Sequence, residues 1–116
     1  MSKCTNITVE ITARPAPEPM KVYLAGKITG DPDYRLKFLK ARQKLERDGY
    51  VVISPAVLPD RLTPADYMRI CFSMIDCADA VAFLPDWKQS AGAQLEHDYC
   101  TYTRKTRIFP WGGYEE

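Results

Sequence analysis

Two rhythms of apolar residues run along this chain. Short, almost continuously apolar runs occur at Val22-Tyr23-Leu24-Ala25, Tyr50-Val51-Val52-Ile53, Asp79-Ala80-Val81-Ala82-Phe83-Leu84 and around Arg107-Ile108-Phe109. Runs of that length predict strands covered on both faces. Between them, apolar residues recur at helical spacing: Tyr34, Phe38, Ala41 and Leu45, then Tyr67, Ile70, Met74 and Cys77, with a third helix running from Ser90 towards Arg104. The helix ends carry their own signals. Gly49 offers a C-terminal stop, Thr63-Pro64-Ala65-Asp66 supplies an N-cap, a proline at the first helical position and an early acid, and Ser90 is an N-cap. Strand and helix therefore alternate from Lys21 onwards. That order predicts right-handed crossovers and a small doubly wound, flavodoxin-like α/β domain, with four to five parallel strands and helices on both faces. With the first core strand between the second and third, the topological switch falls beside the loops after Ala25 and Leu84.

The chain has 116 residues, enough for one compact domain. Residues 1–20 read as an arm, in which Asn6 to Thr12 alternate as a candidate strand and Pro15, Pro17 and Pro19 impose an extended linker. Residues 21–110 form the domain. Residues 111–116 are a tail, because Pro110 and Gly112-Gly113 end regular structure. Hydrophobic residues make up 46% and charged residues 27%, the balance of a soluble protein with a core.

A formal net charge of +1, with both signs interspersed, gives no basic stripe for a nucleic-acid backbone, so a small molecule is the expected partner. Cys4, Cys71, Cys77 and Cys100 form no C-x-x-C pair and His97 is the single histidine, so neither a metal nor a cofactor is expected. Free thiols in a reducing compartment follow. The sequence shows no cationic and apolar leader and no run of membrane length, so the cytoplasm is the expected location and no membrane partner is expected. A short chain with a shallow site and an aromatic third helix also suggests a homodimer or larger homo-oligomer.

Two segments carry candidate chemistry. The loop Gly26-Lys27-Ile28-Thr29-Gly30-Asp31 combines small residues, one cation and backbone N–H groups before a helix, which suits an anion. Its spacing is neither a P-loop nor a dinucleotide fingerprint, and a glycine turn with a solvated Lys27 is the plain alternative. Arg35, one turn into the helix, is a further candidate cation and equally a surface residue. The second segment, Ser90-Ala91-Gly92-Ala93-Gln94-Leu95-Glu96, puts a small polar turn, a glycine and a carboxylate into the opening of a helix. A helix start holds phosphate and a carboxylate attacks a sugar; ordinary helix punctuation with a solvated Glu is the alternative.

Taken together, Tyr23-Leu24-Ala25-Gly26, Cys77-Ala78-Asp79-Ala80-Val81 and Ser90-x-Gly92-x-x-x-Glu96 resemble the nucleoside 2-deoxyribosyltransferase superfamily, nearest in pattern to the 2'-deoxynucleoside 5'-phosphate N-hydrolases. The resemblance spans roughly Lys21 to Pro110. It implies N-glycosidic cleavage or transfer on a 2'-deoxynucleoside or its 5'-monophosphate, with Glu96 as nucleophile and a glycosyl ester resolved by water or a second base. It also implies that Ser90 and the N–H groups around Gly92 hold the 5'-phosphate, and that Gly26, Lys27, Ile28 and Thr29 surround the sugar and phosphate. Tyr23 either lines the base pocket or is a core aromatic.

The chain departs from that pattern at one place. The superfamily's second carboxylate, which assists protonation of the leaving base, lies eight residues before the Asp that opens the third strand, and counting back from Asp79 reaches Cys71. Asp66 and Asp76 are turned about 140° from that position on a helix. Asp79 itself and Asp86, in the loop before Ser90, join Glu96 as catalytic candidates, and Cys71 joins the binding residues. Trp87 stacks on a base, closes the pocket or seals a subunit interface. His97 points about 100° from Glu96 and reads as structural. The rival to an enzyme is a nucleotide-binding module without turnover, or an oligomeric scaffold.

Overall fold

The computed structural model describes residues 18–112. The expected strand at Asn6 to Thr12 and the end of the tail lie outside the described residues. Four parallel strands, β1 (Lys21–Ala25), β2 (Val51–Ile53), β3 (Ala80–Phe83) and β4 (Thr106–Ile108), form one sheet in the order β2-β1-β3-β4. Three helices connect them: α1 (Tyr34–Arg47), α2 (Pro64–Cys77) and α3 (Ala91–Thr103). The domain is thus α/β with the strand order of a flavodoxin-like fold. Single 3₁₀ turns at Pro55–Val57 and Trp87–Gln89 tighten the exits of β2 and β3.

Side chains still alternate within the apolar strands, because successive residues point to opposite faces. Tyr23, Ala25, Val81 and Phe83 face a core shared with Cys71, Ile75, Ala93 and Cys100 of α2 and α3. Val22, Leu24 and Ala82 face Phe38, Ala41 and Leu45 of α1. β1 and β3 pair in register from Val22 with Ala80 to Ala25 with Phe83, and a further bond from Leu84 N–H to the Ala25 carbonyl (2.8 Å) carries the pairing to the rim. The two strands therefore end together, and their exit loops start from one edge.

The predicted helix ends hold. Gly49 takes φ +97° and closes a Schellman motif, in which Gly49 N–H donates to Glu46 and Tyr50 N–H to Leu45. Thr63 and Ser90 accept the backbone N–H groups of Asp66 and Ala93 through their hydroxyls. The apolar stripe of α2 is corrected by the fold: Cys71 and Ile75 are its buried residues, whereas Cys77 is exposed. The helix is rotated because Tyr67, Cys71 and Ile75 lie one to two turns apart along the line that meets β1 and β3. Of the four cysteines, the three within the described residues are free thiols. Among the described residues no helix is long and apolar enough to cross a membrane.

Candidate active site

A cleft of about 600 Å³ opens at the carboxyl edge of β1, where the strand order reverses. Tyr23 forms part of its floor, the β1 exit contributes Gly26, Ile28 and Thr29, and α1 begins beside it with Tyr34. The β2 exit supplies Pro55, Asp60 and Leu62, and α2 supplies Pro64, Tyr67, Met68 and Cys71. The remaining wall is the start of α3, from Ser90 through Gly92 and Ala93 to Leu95 and Glu96, with Gln89 preceding it.

Glu96 occupies a core position. The buried line of α3 is Ala93, Glu96 and Cys100, at spacings of three and four residues, so a carboxyl sits where the pattern calls for an apolar residue. It is 5% exposed, and its carboxylate accepts a hydrogen bond from the Tyr23 hydroxyl at 2.6 Å. Burial raises its pKa to about 7, against the opposing pull of hydrogen bonds from Tyr23 and the Cys71 thiol. Burial likewise pushes the Cys71 thiol up to about 12 and the Tyr23 phenol well above its ordinary range. Near neutrality, Glu96 alone of these three groups changes charge.

The opening turn of α3 is held by Ser90, whose hydroxyl accepts the Ala93 N–H at 3.1 Å while its carbonyl accepts the Gln94 N–H at 2.9 Å. The preceding N–H groups, on Ala91 and Gly92, are first-turn donors without an intrahelical acceptor, and both residues line the cleft. A Cβ on Gly92 would meet only Met68 and Ser90 at ordinary distances of 3.7 and 3.9 Å, so a side chain there would fill cleft space and disturb no packing. Gly26 differs: a Cβ there would come within 2.6 Å and 2.9 Å of Leu84 and 3.2 Å of Asp86, so glycine is needed for close approach of the two exit loops.

Tyr23, Gly26, Ile28, Thr29, Cys71, Ser90, Gly92 and Glu96 are thus gathered in one cleft, and five other sequence candidates stand apart. Asp79 is at the opposite edge of the sheet, exposed, accepting the Lys21 N–H at 2.8 Å, because a residue that precedes a parallel strand cannot reach its carboxyl end. Asp86 accepts the Lys27 N–H at 3.1 Å and the Lys37 ammonium at 2.5 Å, which locks it behind the β1 exit. Lys27 is joined to this network through its backbone, its carbonyl accepting from Lys37 at 2.8 Å, and it does not line the cleft. Arg35 pairs with Asp60 and donates to the Ala56 carbonyl at 2.8 Å, bracing the rim without lining it. Trp87 is buried against Phe83 and stacks on His97 with ring centroids 4.4 Å apart, beneath α3. His97 also lies 3.2 Å from Arg107.

The sequence reading missed Tyr34, Asp60, Met68 and Tyr67 as cleft residues and Lys37 as the clamp between loops. Tyr34 and Tyr67 were visible only as members of apolar stripes. One signal was available: each stands at the first turn of its helix, at the end that a parallel sheet turns towards the carboxyl edge.

A comparison with curated proteins gives no match. Residues 20–109 match the family model described as Domain of unknown function (DUF4406), an interval that contains every strand and helix above. The chain therefore belongs to the DUF4406 family.

Proposed function

We propose that this protein cleaves or transfers the N-glycosidic bond of a 2'-deoxynucleoside or its 5'-monophosphate, as its resemblance to the nucleoside 2-deoxyribosyltransferase superfamily implies. The observation that carries the reading is the buried Glu96 carboxyl in the wall of the cleft, hydrogen-bonded to Tyr23 and placed beside the open first turn of α3. A carboxyl kept in a core position at an energetic cost, with its pKa near neutrality, marks a functional site.

In this reading the Glu96 carboxylate attacks the anomeric carbon and the C–N bond breaks. The base departs with the bond's electron pair, and the sugar is left as an ester of Glu96. Water or a second base then attacks the same carbon and frees the carboxylate, so two inversions give net retention. Tyr23 positions the nucleophile. The sugar lies over Gly92, its 5' end towards the Ala91 and Gly92 N–H groups and the Ser90 hydroxyl, and the base lies between α1 and α2 near Tyr34, Tyr67 and Met68. A second copy closing over half-exposed Leu95 at the cleft mouth belongs to the same reading, and sedimentation velocity reads it directly.

A second reading, a nucleoside-binding module without turnover, is favoured by one observation: the group beside Glu96 is the thiol of Cys71, which does not give up its proton near neutrality. Incubation with deoxynucleosides and their 5'-monophosphates, with and without an acceptor base, separates the two. Base release or exchange that disappears in Glu96→Gln supports the enzyme. A thermal shift with ligand and no release supports the module.

A further inference from the structure

The charged lining of the cleft is entirely acidic. Among the described residues its charged side chains are Glu96 and Asp60, with no lysine or arginine. Arg35 already neutralises Asp60 and also donates to the Ala56 carbonyl, whereas Lys37 is held by Asp31 and Asp86 away from the cleft, so Glu96 is the one lining carboxyl without a cationic partner among the described residues. Aromatic and soft groups make up much of the wall opposite α3, namely Tyr34, Tyr67 and Met68. One face of Tyr34 already carries the Arg35 guanidinium, 5.0 Å from the ring centroid, which leaves Tyr67 to meet a ligand. The Glu96 carboxylate and the aromatic wall favour a cation.

The same lining holds no acid suited to a leaving base. A neutral purine or pyrimidine departs readily only if a proton reaches it as the bond breaks. Glu96 must be ionised to attack, so it is not that donor. Asp60 is held below its ordinary range by the Tyr34 hydroxyl and the Arg35 guanidinium, and is a carboxylate near neutrality. Burial and Asp60 raise Tyr34, burial raises Tyr67, and the Cys71 thiol is pushed up to about 12.

We propose, building on the N-glycosidic reading above, that the substrates of this cleft are N-glycosides whose base carries a fixed positive charge, such as an N7-alkylated purine or a pyridinium nucleoside. Both share one chemistry. Glu96 attacks the anomeric carbon, the C–N bond breaks, and its electron pair neutralises the ring nitrogen, so the base leaves uncharged and takes up no proton. Water then attacks the anomeric carbon and breaks its bond to the Glu96 oxygen, releasing the sugar and the Glu96 carboxylate and shedding one proton to solvent. The Glu96 carboxylate and the Tyr67 face favour the cationic base before bond cleavage and release it once it is neutral.

The test measures base release by the full chain from two matched pairs, each corrected for release without protein. One pair is 7-methyl-2'-deoxyguanosine and 2'-deoxyguanosine, the other nicotinamide 2'-deoxyriboside and 2'-deoxyuridine. General acid catalysis is worth about a hundredfold or more, so kcat/KM for the cationic member exceeds that of its neutral partner by about that factor. The pair showing the larger excess distinguishes an alkylated purine from a pyridinium. Glu96→Gln abolishes release from both. Cys71→Asp, which installs an acid beside Glu96, narrows the gap by raising release from the neutral member.

Neutral members cleaved as fast as cationic ones, with both activities lost in Glu96→Gln, overturn the proposal and leave the N-glycosidic reading standing. No release from any of the four, or release that Glu96→Gln does not change, overturns both. A folded Cys71→Asp that leaves the neutral rate where it was also counts against the proposal, because proton supply is then not what limits it.

Discussion

Glu96→Gln makes this protein more stable at alkaline pH, and the size of the gain follows from the burial of one carboxyl. In the fold its pKa stands at about 7 against an ordinary 4.5. Between those values the folded chain holds a proton that the unfolded chain has released, so stability falls as pH rises from the lower value to the higher. Above both values the folded state carries a buried carboxylate at a cost of about 3 kcal/mol. Glutamine keeps the oxygen that accepts from Tyr23 at 2.6 Å and has no charge to bury. The variant and the native protein therefore differ little near pH 5, and the variant is more stable near pH 8 by about 2 to 3 kcal/mol. Urea unfolding at the two pH values, with equal slopes required, measures the difference. A substitution effect that is the same at both pH values refutes the reasoning, as does a variant that loses stability relative to the native protein on going to the higher pH.

Tyr23→Phe removes the phenol that favours the ionised carboxyl, so the midpoint of that stability profile, and of any activity that needs the carboxylate, moves up by about one pH unit; a midpoint that stays or falls counts against the hydrogen bond at 2.6 Å. Gly26→Ala drives a methyl against the Leu84 Cβ and Cδ1, within 2.9 and 2.6 Å, and destabilises by about 1 to 3 kcal/mol in urea unfolding. Ser90→Ala removes the cap that accepts the Ala93 N–H and lowers stability by about 1 kcal/mol, which thermal and urea unfolding detect. Gly92→Ala leaves stability nearly unchanged, because its methyl meets only ordinary contacts, and weakens ligand binding in titration calorimetry by filling the cleft.

The fold was legible because its signals were local. The first three strands are short apolar runs, the α1 stripe of Phe38, Ala41 and Leu45 is buried as its period requires, and Gly49, Thr63 and Ser90 end or start helices by bonds they make with their immediate neighbours. The sequence also marked Glu96, since the segment from Ser90 combines an N-cap, a small residue and a carboxyl on one helix. Its burial was not visible, because that depends on Tyr23 and Cys71, which are 73 and 25 positions away in the chain and meet it only through the β1 and α2 packing.

The same long range explains the candidates that lie elsewhere. Asp86 looked like a loop carboxylate open to a ligand, but Lys37, from the first turn of α1, claims it together with Asp31. Arg35 looked like a cation for a phosphate, but Asp60 from the β2 exit takes it up. In both cases the residue type was read correctly and the partner was supplied by tertiary structure. The rotation of α2 is of the same kind: its apolar residues are numerous enough that several stripes fit the period, and only contact with β1 and β3 selects Cys71 and Ile75.

The central claim is that the Glu96 carboxylate forms a bond to the sugar. A 2'-deoxy-2'-fluoro-arabinosyl nucleoside, whose electron-withdrawing fluorine slows resolution of the ester, should trap that intermediate, and mass spectrometry of the intact and digested protein reads it. The account predicts release of one base per chain and one added fluoro-arabinosyl mass on the peptide that contains Glu96. Base release with the added mass on another residue, or sustained turnover with no adduct, contradicts it.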